Sequence, residues 1–198
     1  MVHDKWNPHA PTFDYDIAML ELAVKATFSH FVHTVCLWEY PEKPNQVEGI
    51  VGGWGKADNS SNTNEDMPKK LTVPIHDNED CLRAFPGLIK ITSKRTLCAC
   101  SSDESGVCFG NSGGGLVISH DNFYFLRGIV SASIIRGGFC DVSKYAVYTD
   151  ILKYKDWING FIDDDRIPAP TTTPRITTTV KSASLRKYQR RVFISALR

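Results

Sequence analysis

Short apolar runs recur along the first 165 residues, each closed by a cluster of Gly, Pro, Asn or Asp. Runs at 17–24, 47–54, 71–75, 115–119, 123–131 and 145–148 read as strands, and this spacing suggests an all-β sandwich or barrel. The pattern changes twice. Residues 77–85 read as a short helix. Over 150–162, Ile151, Tyr154, Ile158, Phe161 and Ile162 fall on one face at helical spacing, with Trp157 at its border and Thr149 or Asp150 placed to cap the start. After Asp163-Asp164-Asp165 come Pro168, Pro170, Pro174 and Thr triplets at 171–173 and 177–179. That composition buries too little apolar surface to offset chain entropy, so 166–198 is expected to be a disordered, solvated tail.

Composition narrows the picture. With 198 residues, 42% of them hydrophobic, the chain can build one domain with a real core. No run approaches 18 apolar residues, so no transmembrane helix and no membrane partner are expected. Met1 to Lys5 lacks the basic and apolar regions of a signal peptide, so either the chain is not secreted as it stands or its start lies upstream. The net charge of +1 conceals an asymmetry: residues 166–198 carry eight Lys/Arg and no Asp/Glu, leaving 15 basic against 22 acidic groups in 1–165. An acidic body argues against nucleic acid as a partner. The six cysteines, Cys36, Cys81, Cys98, Cys100, Cys108 and Cys140, lack the paired Cys-x-x-Cys spacing of structural zinc, so disulfides are expected and no metal or other cofactor.

The most informative stretch is Cys108-Phe109-Gly110-Asn111-Ser112-Gly113-Gly114-Gly115-Leu116. A serine among glycines can stand exposed on a sharp turn, where the N–H groups of Gly110 and Ser112 converge on a developing oxyanion. A phosphate loop would need Gly-Lys-Ser/Thr, which is lacking. Gly110-x-Ser112-x-Gly114 also fits a hydrolase elbow, but only His120 follows, with no acid-bearing loop between. On the glycines alone, a plain flexible turn remains an open alternative.

The stretch resembles the serine motif of chymotrypsin-like, trypsin-family serine proteases, and further resemblances follow in family order. Phe13-Asp14-Tyr15-Asp16-Ile17-Ala18-Met19-Leu20-Glu21-Leu22 is similar to the segment carrying the catalytic aspartate, at Asp16. Gly52-Gly53-Trp54-Gly55 resembles a family turn, Arg127-Gly128-Ile129-Val130-Ser131 the strand before the specificity pocket, and Tyr145-Ala146-Val147-Tyr148-Thr149 the closing strand before the C-terminal helix. The triple glycine and residues 127–133 look most like arthropod clip-type proteases.

The resemblance implies an extracellular serine endopeptidase domain acting on protein or peptide substrates. Its fold would be a chymotrypsin-like double β-barrel, with the first barrel largely missing from residues 1–165 and apolar surface exposed as a result. Ser112 would be the nucleophile, Asp16 the acid that orients a histidine, and Gly110 and Ser112 the oxyanion hole. Cys81 would pair with Cys98 and Cys108 with Cys140, worth ~3 kcal/mol each in the chain-entropy model. Cys36 would tether a regulatory domain or upstream segment, and Cys100 is left over. Gly106 would form the pocket floor, with Ser131, Ser133 and Ala146 around it. Gly106 carries no carboxylate, so an apolar preference is expected; Asp103 and Glu104 read as a solvated loop.

Two departures stand out. None of the six histidines has the family's Ala-His-Cys context, so this chain by itself is expected to have negligible activity. Asn111 stands where the family has an aspartate that pairs with a freed amino terminus. It raises an alternative, a non-catalytic homologue acting as adaptor in a proteolytic cascade.

Overall fold

A computed structural model describes residues 1–24, 26–38, 47–55, 66–100, 106–141, 145–162 and 192–195. Asp103, Glu104 and most of the basic tail lie outside them. Strands β1 (Ala18–Glu21), β2 (Cys36–Leu37), β3 (Val47–Gly53), β4 (Lys69–His76), β5 (Thr96–Ala99), β6 (Gly115–His120), β7 (Phe123–Ala132), β8 (Ile135–Arg136), β9 (Phe139–Cys140), β10 (Ala146–Asp150) and β11 (Val192–Ser195) follow in order. Six of them close into an antiparallel barrel in the order β10-β5-β4-β3-β6-β7, because β7 pairs back onto β10. β2 adds to β7 in parallel. The barrel with its C-terminal helix is the trypsin-like architecture expected from the sequence.

β7 explains the packing. It is buried almost continuously from Leu126 to Ser131 because it separates two apolar clusters. On one side Val130 joins Val73, Leu97, Leu116 and Tyr148 inside the barrel. On the other, Leu126 and Ile129 meet Ile17, Met19, Ile151 and Ile158. Each such side chain contributes roughly 1.5–3 kcal/mol on burial. The second cluster docks β1 and the C-terminal helix on the barrel wall. Inside that wall, Arg127 on β7 and Asp150 on β10 form a buried ion pair.

The short helix α1 spans Asn78–Ala84, and Asp77 caps it by accepting from the Asp80 N–H at 2.9 Å. The expected helix at 150–162 is two elements: a 3-10 segment, Ile151–Tyr154, then α2, Lys155–Ile162. Asp150 caps the first by accepting from the Leu152 N–H, while also pairing with Arg127. A carboxylate held by two elements, with Tyr154 drawn toward Tyr15 (Tyr15 N–H to its hydroxyl, 2.9 Å), tightens that opening turn.

Within the stretch 166–198 the described residues are 192–195. Val192–Ser195 pairs antiparallel with β1, from Ala18 opposite Ser195 to Glu21 opposite Val192. The N-terminal residues also bond to β1, the Met19 N–H donating to the Met1 carbonyl at 2.8 Å and Val2 bridging Ala18. Leu20 in this small sheet, and Val24, Phe28 and Phe31 after it, are exposed, Phe31 by 96%. Among the described residues, no helix is long and apolar enough to cross a membrane.

Candidate active site

Two arms approach the same place on β7. The first is the loop from Cys108 to Gly114. Its bends need glycine: Gly110 and Gly113 have φ of +86° and +82°, where a Cβ is strained. The Asn111 N–H donates to the Cys108 carbonyl, Gly114 to Asn111, and Gly113 to the Val130 carbonyl at 2.9 Å; Val130 returns a bond to Gly114 at 2.8 Å. This pattern spends the amides of Asn111, Gly113 and Gly114. Those of Gly110 and Ser112 have no acceptor among the described residues, and both residues are exposed. Asn111, half-buried, packs against the turn at 52–55. A Cβ on Gly55 would lie 2.6 Å from the Asn111 backbone nitrogen, so that turn needs glycine too.

The second arm carries Asp16, fully buried. The Ser131 hydroxyl donates to its carboxylate at 2.5 Å, and the Thr149 hydroxyl donates to its carbonyl at 2.7 Å. Tyr15, just before it, sits in the left-handed region at φ 59°, a costly conformation for a bulky residue. Surrounding contacts impose it. The Arg95 guanidinium lies 4.2 Å from the Tyr15 ring centroid, and His3 stacks between Tyr15 and Trp157 at 4.7 and 4.9 Å. Arg95 also grips Asp14 through two bonds of 2.8 and 2.7 Å, and Ser93 adds a third. Burial works against the Asp14 charge, but the Arg95 and Ser93 bonds prevail and hold its carboxyl below the usual range. Burial of His3 outweighs the nearby Asp4 and lowers the imidazole below its ordinary value.

The arms meet because Val130 and Ser131 are consecutive. Val130 anchors the Ser112 loop and Ser131 anchors Asp16. Beside them, Gly106, Ser133 and Ala146 line a small pocket with Val107 and Tyr148. Ser131, expected in that lining, is elsewhere: its hydroxyl is committed to Asp16. Ser133 donates to the Val107 carbonyl at 2.8 Å. Cys81 is bridged to Cys98 and Cys108 to Cys140, the second bridge linking the Ser112 loop to the cavity rim; Cys36 and Cys100 lie outside both bridges. His3 sits in the aromatic cluster, His76 at the edge of Tyr145 and His120 beside Asp121, while His9, His30 and His33 are exposed.

The sequence reading missed Thr149 and the Asp14–Arg95 clamp. Asp14 stands two residues before Asp16, a local signal, but its partner is 81 residues away.

Comparison with known proteins agrees with this architecture. The family model described as Trypsin matches residues 1–158. The chain is 28% identical over 195 residues to Serine protease gd of Drosophila melanogaster, covering 81% of this chain and 37% of that protein. It is 31% identical to Vitamin K-dependent protein C of Oryctolagus cuniculus, covering 82% and 36%, and 29% identical to CLIP domain-containing serine protease HP8 of Bombyx mori, covering 80% and 43%. The chain thus spans less than half the length of each of these relatives. Barrel, helix, motif order and the match over residues 1–158 together place the chain in the trypsin family of serine proteases.

Proposed function

We propose that this chain is the nucleophile- and acid-bearing portion of an extracellular serine endopeptidase. Ser112 attacks the peptide carbonyl, the amides of Gly110 and Ser112 stabilise the oxyanion, and Asp16 orients and charge-compensates a histidine supplied from outside residues 1–198. The reading is supported by one observation: the exposed Ser112 loop, in which the Gly110 and Ser112 amides are among those with no acceptor within the described residues, hangs from the residue next to the one holding Asp16. Two disulfides and the family support an oxidising, extracellular setting. Cys36 is the expected point of attachment for a regulatory segment.

The alternative, a non-catalytic adaptor, draws on Asn111, a neutral side chain packed against the glycine turn. One experiment separates them. The transcript upstream of the Met1 codon is sequenced and the longer chain expressed. Under the endopeptidase reading, an Ala-His-Cys segment is found and cleavage of a peptide library depends on Ser112. A replaced histidine and no cleavage, with retained binding to a cascade protease, supports the adaptor and sinks the enzyme.

A further inference from the structure

Asp16 is aimed by the residue before it. The Ile17 N–H donates to the Tyr15 carbonyl at 2.8 Å, a bond that closes a turn around Asp16 alone. The direction of the acid therefore follows the backbone of Tyr15. That backbone lies in the left-handed region, which glycine or asparagine visits easily and a bulky aromatic residue does not. Nothing in the tyrosine itself selects that conformation, so the selection is tertiary. Arg95 acts on both sides of the residue. Its guanidinium lies over the Tyr15 ring and grips the Asp14 carboxylate with two bonds, and Asp14 in turn accepts from the Tyr15 N–H at 3.1 Å. A planar fork suits this double duty, since it can pair with a carboxylate along its edge and stack on a ring with its face. Arg95 is also tied to the strand that holds the acid. Its carbonyl accepts from the Asp150 N–H at 2.9 Å, and the hydroxyl of the neighbouring Thr149 donates to the Asp16 carbonyl.

Resting on the endopeptidase reading, we propose that Arg95 is a positioning residue: by holding Tyr15 left-handed it keeps the Asp16 carboxylate turned toward the histidine it must orient. Without the fork, Tyr15 relaxes to a negative φ, the peptide between Tyr15 and Asp16 rotates, and the acid turns with it. The Ser112 loop, bonded to Val130, keeps its place.

The test compares Arg95→Met, which keeps a stem over the ring but no charge, with Arg95→Lys, which keeps the charge but not the fork. Amide hydrogen exchange is followed by NMR in the full 198-residue chain. Ile17 is expected to exchange about tenfold or more faster in Arg95→Met, and by a smaller factor in Arg95→Lys, with Gly113 and Val130 unchanged. Equal acceleration at all three sites means that Arg95 only stabilises the fold, and an unchanged Ile17 means that Tyr15 needs no clamp; either result overturns the proposal. Should Arg95→Met not fold, Arg95→Lys is judged by the same criterion. In the longer chain that carries the histidine, kcat per titrated active site should fall roughly 10- to 100-fold with KM nearly constant, the mark of a misplaced catalytic group. An unchanged kcat overturns the assignment, whatever KM does. A longer wild-type chain that cleaves nothing sinks the endopeptidase reading, while the exchange at Ile17 still decides whether Arg95 aims Asp16.

Discussion

The two arms of the candidate site are built by opposite means. The Ser112 loop is exposed and held by backbone: two left-handed glycines and four main-chain bonds, two of them to Val130. The Asp16 arm is buried and held by side chains: Ser131, Thr149, and the Tyr15, His3, Arg95 and Asp14 cluster. The lesson is about where change is tolerated. Apart from Cys108, which is bridged to Cys140, and Asn111, which packs on the turn at 52–55, side-chain substitutions in the loop should leave the fold intact. In the acid arm, altering a supporting side chain should disturb stability and chemistry together.

The largest effect is expected from Ser112→Ala in the chain extended to carry the histidine. Cleavage should fall by about 10⁶-fold in kcat, the scale of losing a triad nucleophile, with an unchanged thermal midpoint. A lowered midpoint would break the contrast. Next is Ser131→Ala, which strips a hydrogen bond from a buried carboxylate. It should cost about 2 kcal/mol by denaturant titration and reduce kcat as well, showing the coupling absent from the first variant. Gly113→Ala, forced into a left-handed conformation, should cost about 1 kcal/mol and misplace the loop; an unchanged stability would mean the bend does not need glycine.

The smallest effect concerns pH. Burial lowers the His3 value below 6.5, with Asp4, Lys5, Arg95 and Asp14 around it, so its contribution is complete above pH 6.5. It is lost as pH falls through the folded-state value, because the imidazolium is favoured on unfolding. Asp14, held low, adds a loss in more acid conditions, below its ordinary value of 3.8. His3→Phe should flatten the slope just below pH 6.5 and leave the Asp14 part; an unaltered slope would remove His3 from the acid arm.

The same contrast explains what was legible in the sequence. Glycine runs advertise a backbone-built loop, so Ser112, Gly110 and the turn at 52–55 could be found from neighbouring residues. Five of the six expected strands match observed ones closely; the run at 17–24 narrows to Ala18–Glu21. β5 escaped because its four residues, Thr96–Ala99, are all buried and show no alternation. The acid arm was legible only at Asp16. Ser131 and Thr149 reach it from 115 and 133 residues away, a distance local pattern does not span. Ser131 was read as pocket lining because position along β7 does not reveal which way a hydroxyl turns. The strand formed by Val192–Ser195 had no advance signal, since its pairing partner lies at the other end of the chain.

That Val130 and Ser131 are consecutive has a mechanical consequence. Hydroxyl and acid are both measured from the same two peptide units, as two marks are cut from one edge. When the barrel breathes, strand motion carries both marks together and their separation changes little. Alignment then survives flexing, and it is vulnerable to distortion at that single dipeptide.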